Sequence, residues 1–252
     1  TNNQTVCYGA SYTIGSSTYT ASGTYTDVFT ASNGCDSTVT TNLTVLPQFT
    51  ISAHATSSAT ICSGSSVTLS LVGFASSTNT YQWNDASGAI SGATSSTYTT
   101  STAGSYSLTV TNTNSCVATS NSVAVTVITV STPASLTTSS IQLDRATMNW
   151  ATVTNANHYD IRMRVQGSAW SVALNNIPAS YTAKEKTGLS SSTTYEWQIR
   201  SACSNDSSSV SAWSSTQTFT TLTPCTKPVN ATTTGITLST STLTWDAVAG
   251  AW

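Results

Sequence analysis

At 252 residues, with 38% hydrophobic and only 6% charged side chains and a net charge of −2, the chain has apolar material for several thin domains but not for one large core. Seven Trp and ten Tyr argue against disorder, although roughly two residues in five are Ser or Thr. No apolar run of about eighteen residues exists, so no spanning helix and no membrane insertion are expected. All seven Lys and Arg lie at or after Arg145, and their scarcity argues against nucleic acid as a partner.

The chain opens Thr-Asn-Asn-Gln, with no basic start before an apolar run, so any signal peptide is expected to be removed or to lie upstream. Residues 1–47 carry Cys7-x-Gly9-x-Ser11, then Gly23-x-Tyr25, then Cys35 ten residues after the tyrosine. Residues 48–130 repeat the series as Cys62-x-Gly64-x-Ser66, Gly104-x-Tyr106 and Cys116. Such self-similarity marks a modular array. In the first unit Gly23 stands 16 positions after Cys7, against 42 from Cys62 to Gly104 in the second, and the missing stretch is the one that holds Trp83. The first unit is therefore read as a reduced module of three to five strands, dependent on a disulfide for stability. The copied placement of the cysteines predicts two bonds, Cys7–Cys35 and Cys62–Cys116, in an oxidising compartment.

Strand-period alternation is clear in Val67-Thr-Leu69-Ser-Leu71, Tyr106-Ser-Leu108-Thr-Val110 and Val123-Ala-Val125-Thr-Val127. It returns in Tyr159-Asp-Ile161-Arg-Met163-Arg-Val165 and Tyr195-Glu-Trp197-Gln-Ile199. Turn residues part these short strands, the pattern of all-β sandwiches. Pro133, Ile141, Leu143, Trp150 and Val153 recur 95 residues on as Pro228, Ile236, Leu238, Trp245 and Val248. Four domains follow: 1–47, 48–130, 131–224, and 225–252 as the first strands of a second copy that breaks off at Trp252. Ile236, Leu238, Leu243 and Trp245 would lack a facing sheet. Either the polypeptide is expected to continue past Trp252, the favoured reading, or these strands complete a sheet on another chain. Cys203 and Cys225 are placed at opposite poles of their domain and are not expected to pair. Cys225 is expected to find its partner in the rest of the last module.

Three resemblances follow from these residues. Residues 48–130 resemble a bacterial immunoglobulin-like domain, with Trp83 as the core tryptophan and Ala103-Gly104-Ser-Tyr106 as a tyrosine corner. The usual inter-sheet cysteine positions hold Leu69 and Leu108 instead, which implies that both pack in the core. Residues 131–223 resemble a fibronectin type III domain. That resemblance implies Trp150 on strand B, Tyr159, Ile161 and Met163 facing inward on strand C, and Leu189 and Tyr195 closing the core. The run from Gly23-Thr-Tyr25 to Asn33-Gly-Cys35-Asp-Ser-Thr38 resembles repeats of surface adhesins that gliding bacteria export by type IX secretion.

Residues with chemistry are few. Arg162, Arg164 and Arg200 are expected to point outward on neighbouring strands and, with Trp213, to form a cation–π ladder, for which a structural role outweighs a ligand patch. Trp170 is assigned to a loop or edge, with packing as its ordinary role and sugar stacking as the alternative. His54 and His158 are read as surface or strand-end residues. Asp36-Ser37-Thr38 resembles an O-glycosylation acceptor of type IX secretors, with Ser37 on a loop. The Asn3, Asn42, Asn205 and Asn230 sequons are no more than chance gives in so hydroxyl-rich a chain. No catalytic, phosphate-binding, cofactor or metal motif is present. Without Lys before residue 145, the first two modules have neither a Lys–Asn crosslink nor a tryptic site.

The reading is a rod of modules from a secreted or cell-surface adhesin or filament, not an enzyme, whose partners are neighbouring modules of a longer chain, other copies or surface proteins, and glycan. The alternative is a set of accessory or carbohydrate-binding modules of a large secreted enzyme whose catalytic domain lies elsewhere.

Overall fold

The computed structural model describes residues 1–73, 76–225 and 227–248, so Trp252, where the repeat breaks off, lies outside the described residues. The fold is all-β, and it divides into two compact units, Thr1–Val127 and Ile128–Trp252.

The first unit begins with β1 (Asn2–Val6), β2 (Tyr12–Ile14), β3 (Ser17–Tyr19), β4 (Gly23–Thr30) and β5 (Asp36–Val45). β4 and β5 form an antiparallel hairpin, β1 lies parallel to β5 on its other side, and β2 pairs with β3. A sandwich follows, built from β6 (Ile51–Ala55), β7 (Thr60–Cys62), β8 (Val67–Gly73), β9 (Thr80–Asp85), β10 (Gly88–Ala89), β11 (Thr97–Thr100), β12 (Gly104–Thr111), β13 (Val117–Thr119) and β14 (Val123–Ile128). One sheet runs β11-β8-β6 and the other β10-β9-β12-β14-β7. Leu69, Leu108 and Trp83 are fully buried between them, with Val67, Val110 and Val125. The alternation supplies this core directly, since every second residue of a strand faces the same way.

The repeated Gly-x-Tyr has a shared structural cause. Tyr25 donates its phenolic hydroxyl to the carbonyl of Ala21 at 2.9 Å, and Tyr106 donates to that of Thr102 at 2.9 Å. In both copies the ring folds back over the glycine. A Cβ on Gly23 would stand 3.2 Å from the Tyr25 ring, and one on Gly104 3.3 Å from the Tyr106 ring, so a side chain at either position would crowd the ring.

The disulfides differ from the expectation. Cys7 is bonded to Cys116, with a Cα separation of 5.5 Å, and Cys35 is a free, exposed thiol. The register explains this. Val6 pairs with Val45, so Cys7 leaves at the far end of β5, whereas Cys35 sits at the β4–β5 tip before Asp36. Ten residues of strand separate the two by about 30 Å. The end of β5 instead leads into the next sandwich, where Cys7, Pro47, Phe49 and Cys116 line one cleft. Cys62 and Cys203 are also in disulfide form, and Cys225 is free, so Cys62 is not joined to Cys116 nor Cys203 to Cys225.

The second unit holds β15 (Thr137–Ser139), β16 (Arg145–Asn149), β17 (His158–Val165), β18 (Ser171–Pro178), β19 (Ala183–Thr187), β20 (Thr194–Ala202) and β21 (Gln217–Thr220). Sheet β15-β16-β19 faces sheet β18-β17-β20-β21. Met148, Trp150, Tyr159, Ile161, Met163, Trp197 and Ile199 fill the interior, and Leu189 and Tyr195 close it. Two further strands, β22 (Thr232–Thr234) and β23 (Thr242–Thr244), pair Thr232 with Thr244. Their register copies Thr137 with Asn149, 95 residues earlier. The pairing is repeated but the burial is not: Trp150 is 4% exposed and Trp245 59%, and Ile236, Leu238 and Leu243 are also exposed.

Candidate functional site

The outer face of β17 and β20 gathers the chain's most concentrated charge. Because Tyr159, Ile161 and Met163 face the core, Asp160, Arg162 and Arg164 face the other way. β20 does the same with Glu196, Gln198 and Arg200 opposite Tyr195, Trp197 and Ile199. Antiparallel register sets Asp160 against Arg200, Arg162 against Gln198 and Arg164 against Glu196. Each pair bonds across the strands. Arg200 donates from Nε and from a terminal nitrogen to Asp160 Oδ2, both at 3.1 Å. Arg162 Nε donates to Gln198 Oε1 at 2.7 Å, and Arg164 Nε to Glu196 Oε2 at 2.6 Å.

Two indoles interleave with the three guanidiniums. Trp170 lies 4.2 Å from Arg164 and 4.7 Å from Arg162, and Trp213 lies 4.5 Å from Arg162 and 4.7 Å from Arg200, measured from guanidinium carbon to ring centroid. The order is Arg164, Trp170, Arg162, Trp213, Arg200. Each indole thus contacts two guanidiniums, and Arg162 contacts both indoles. The predicted ladder of Arg162, Arg164, Arg200 and Trp213 is thus brought together. Trp170, in the loop before β18 as expected, packs into the ladder, its ordinary packing role, instead of serving as a sugar platform. A sequence signal existed: Ser168-Ala-Trp170-Ser171 and Ser211-Ala-Trp213-Ser214 are the same tetrapeptide. Burial and the neighbouring charges of Arg164 and Arg200 pull the Arg162 guanidinium below its usual range.

His158 takes the strand-end of its two expected placements, not the surface one. It begins β17 but is buried, with Nε2 2.9 Å from the Ser207 hydroxyl and 3.7 Å from Asp160 Oδ1. Asp160, 4% exposed, also accepts from the backbone N–H of Asn176 at 3.1 Å. This small polar core lies under the end of the ladder, and the His-x-Asp spacing on one strand face was its sequence signal. His54 is exposed.

The loop beyond β20 is ordered by Asp206. Its carboxylate accepts from the Ser204 hydroxyl at 2.6 Å and from the Ser208 N–H at 3.0 Å, and these bonds lower its pKa to about 2. Ser37 is exposed but lies on β5, paired with Phe29, not on a loop. Among the described residues no group of three His, Cys, Asp or Glu is placed to hold a metal ion.

No protein-family model matches the chain, and no curated protein matches it. Solved structures resemble it at low identity. A titin crystal structure of several domains has 14% identity and a TM-score of 0.48, covering 75% of this chain and 72% of that one. The chicken CNTN1 fibronectin-domain structure has 12% identity and a TM-score of 0.36, with 79% and 78% covered. A two-domain fibronectin type III segment of chicken tenascin has 15% identity and a TM-score of 0.33, with 62% and 92% covered.

Proposed function

We infer that the chain is a structural segment of a secreted or cell-surface adhesin or extracellular filament, one that carries load and sets distance rather than performing catalysis. The observation that carries this reading is how its side chains are spent. Apolar residues fill two sandwich cores, the acidic groups on the outer face of β17 and β20 pair with arginines across the strands, and the chain as a whole is rich in Ser and Thr and poor in charge. The disulfides fit an oxidising, extracellular setting. The adhesin-like run around Cys35, with its likeness to type IX cargo of gliding bacteria, supports the adhesin class over other extracellular rods.

Force spectroscopy on the chain held by both ends tests the reading. A load-bearing segment resists extension and unfolds in discrete steps. In the oxidised protein Cys7–Cys116 alone spans 109 residues, so reduction of all disulfides should add at least about 35–40 nm of contour length. Smooth yielding without steps in the oxidised protein would defeat the load-bearing role.

A further inference from the structure

The ladder leaves its middle cation without an acid. Arg164 faces Glu196 and Arg200 faces Asp160, but Arg162 faces the neutral amide of Gln198. That amide is not free to turn, because its nitrogen donates to the Thr216 hydroxyl at 3.0 Å and so aims its oxygen at Arg162 Nε. A guanidinium carries five N–H donors, and only the one on Nε is used. The four on the terminal nitrogens of Arg162 make no hydrogen bond among the described residues. Three guanidiniums against two carboxylates leave one positive charge in the cluster, and Arg162, half-buried between two indoles, holds it without a counter-ion.

We propose that Arg162 is an oxyanion site, whose free guanidinium edge grips a sulfate or carboxylate group through two parallel N–H donors. The fork of a guanidinium matches both anions in this way, and an ammonium does not. The site is preorganised. Trp170 and Trp213 both pack against the guanidinium and Gln198 anchors Nε, so little rotamer freedom remains to be lost on binding. Arg164 and Arg200 raise the local positive potential although each is internally paired. Each indole is already engaged by two cations, so a sugar would be recognised here through an acidic substituent rather than by ring stacking. The site stands independently of the load-bearing reading. A free anion and an acidic group on a polysaccharide share this chemistry.

The test is an NMR titration of the whole chain, following the Arg Nε–H and Trp Nε1–H signals as sodium sulfate replaces sodium chloride at constant ionic strength. A saturable shift of the Arg162, Trp170 and Trp213 signals in the millimolar range is expected. Arg162→Lys keeps the charge but loses the fork, and should weaken binding at least about tenfold. Gln198→Glu is the decisive variant. It supplies the missing internal acid, leaves the stack in place, and should remove the sulfate response even if Arg162→Lys does not fold. The same titration with dextran sulfate separates the sources. Tighter binding per sulfate group assigns the site to a polymer, equal binding assigns it to the free ion, and both uphold it. A sulfate response that persists in Gln198→Glu, or that chloride reproduces, overturns it.

Discussion

Cys7 and Cys116 are joined across 109 residues, tying the turn after β1 to the turn after β12. The bond links the short N-terminal sheet to the sandwich that follows it, instead of closing either upon itself. Closing so long a loop restricts the unfolded chain, and bonds of this kind contribute about 2–5 kcal/mol. Cys116→Ser should lower the urea midpoint of the first unit accordingly, and non-reducing peptide mapping should recover a Cys7–Cys116 peptide. Native protein should titrate two thiols, Cys35 and Cys225. A Cys7–Cys35 peptide would contradict this connectivity.

Tyr106→Phe should cost about 1–2 kcal/mol, since its hydroxyl bonds both the Thr102 carbonyl and the Thr100 hydroxyl. Gly104→Ala should also destabilise, because its Cβ would press on the same ring at 3.3 Å. If the glycine acts only through that ring, the double variant Gly104→Ala/Tyr106→Ala loses less than the sum of the singles. Chemical denaturation of the four proteins gives the coupling directly.

Trp213→Ala should destabilise the second unit by about 2–3 kcal/mol, from two cation–π contacts at roughly 0.5–1 kcal/mol each and the lost apolar cover. Trp170→Ala removes two contacts of the same kind and should behave similarly. An urea midpoint unchanged in both variants would show that the ladder adds nothing to stability.

Asp206 gives the loop after β20 an acid limit. Its pKa is lowered from 3.8 to about 2 by bonds from Ser204 and Ser208, so the stabilisation is present above about pH 4 and disappears as pH falls toward 2. Protection of the Ser208 amide, its exchange rate relative to the intrinsic rate at each pH, should fall across that window. In Asp206→Asn the same amide should show no such pH-dependent step.

Much of the fold was legible before any coordinates. Strict alternation in β8, β12, β17 and β20 assigned Leu69, Leu108, Tyr159 and Trp197 to cores, because a strand has only two faces and water decides between them. The same rule put Arg162, Arg164 and Arg200 on the outer face of the second unit. Even the 95-residue repeat proved structural, down to the pairing of Thr232 with Thr244.

What alternation leaves open is which distant residues meet. Two copies of one cysteine motif suggested two local bonds, but motif position carries no information about the direction in which β1 runs. Once β1 lies parallel to β5, Cys7 and Cys35 stand at opposite ends of a ten-residue strand, and the bond passes to Cys116. Trp170 was missed as a rung for a related reason, since its partners are chosen by the packing of a side chain that leaves before β18, not by any period in its own segment. The sequence by itself determined the strands, their inward faces and the modular repeat, because these follow from local polarity and steric preference. Only the tertiary structure decided the disulfide partners, the order of the stack and the one arginine left without an acid, because each depends on register between strands far apart in the chain.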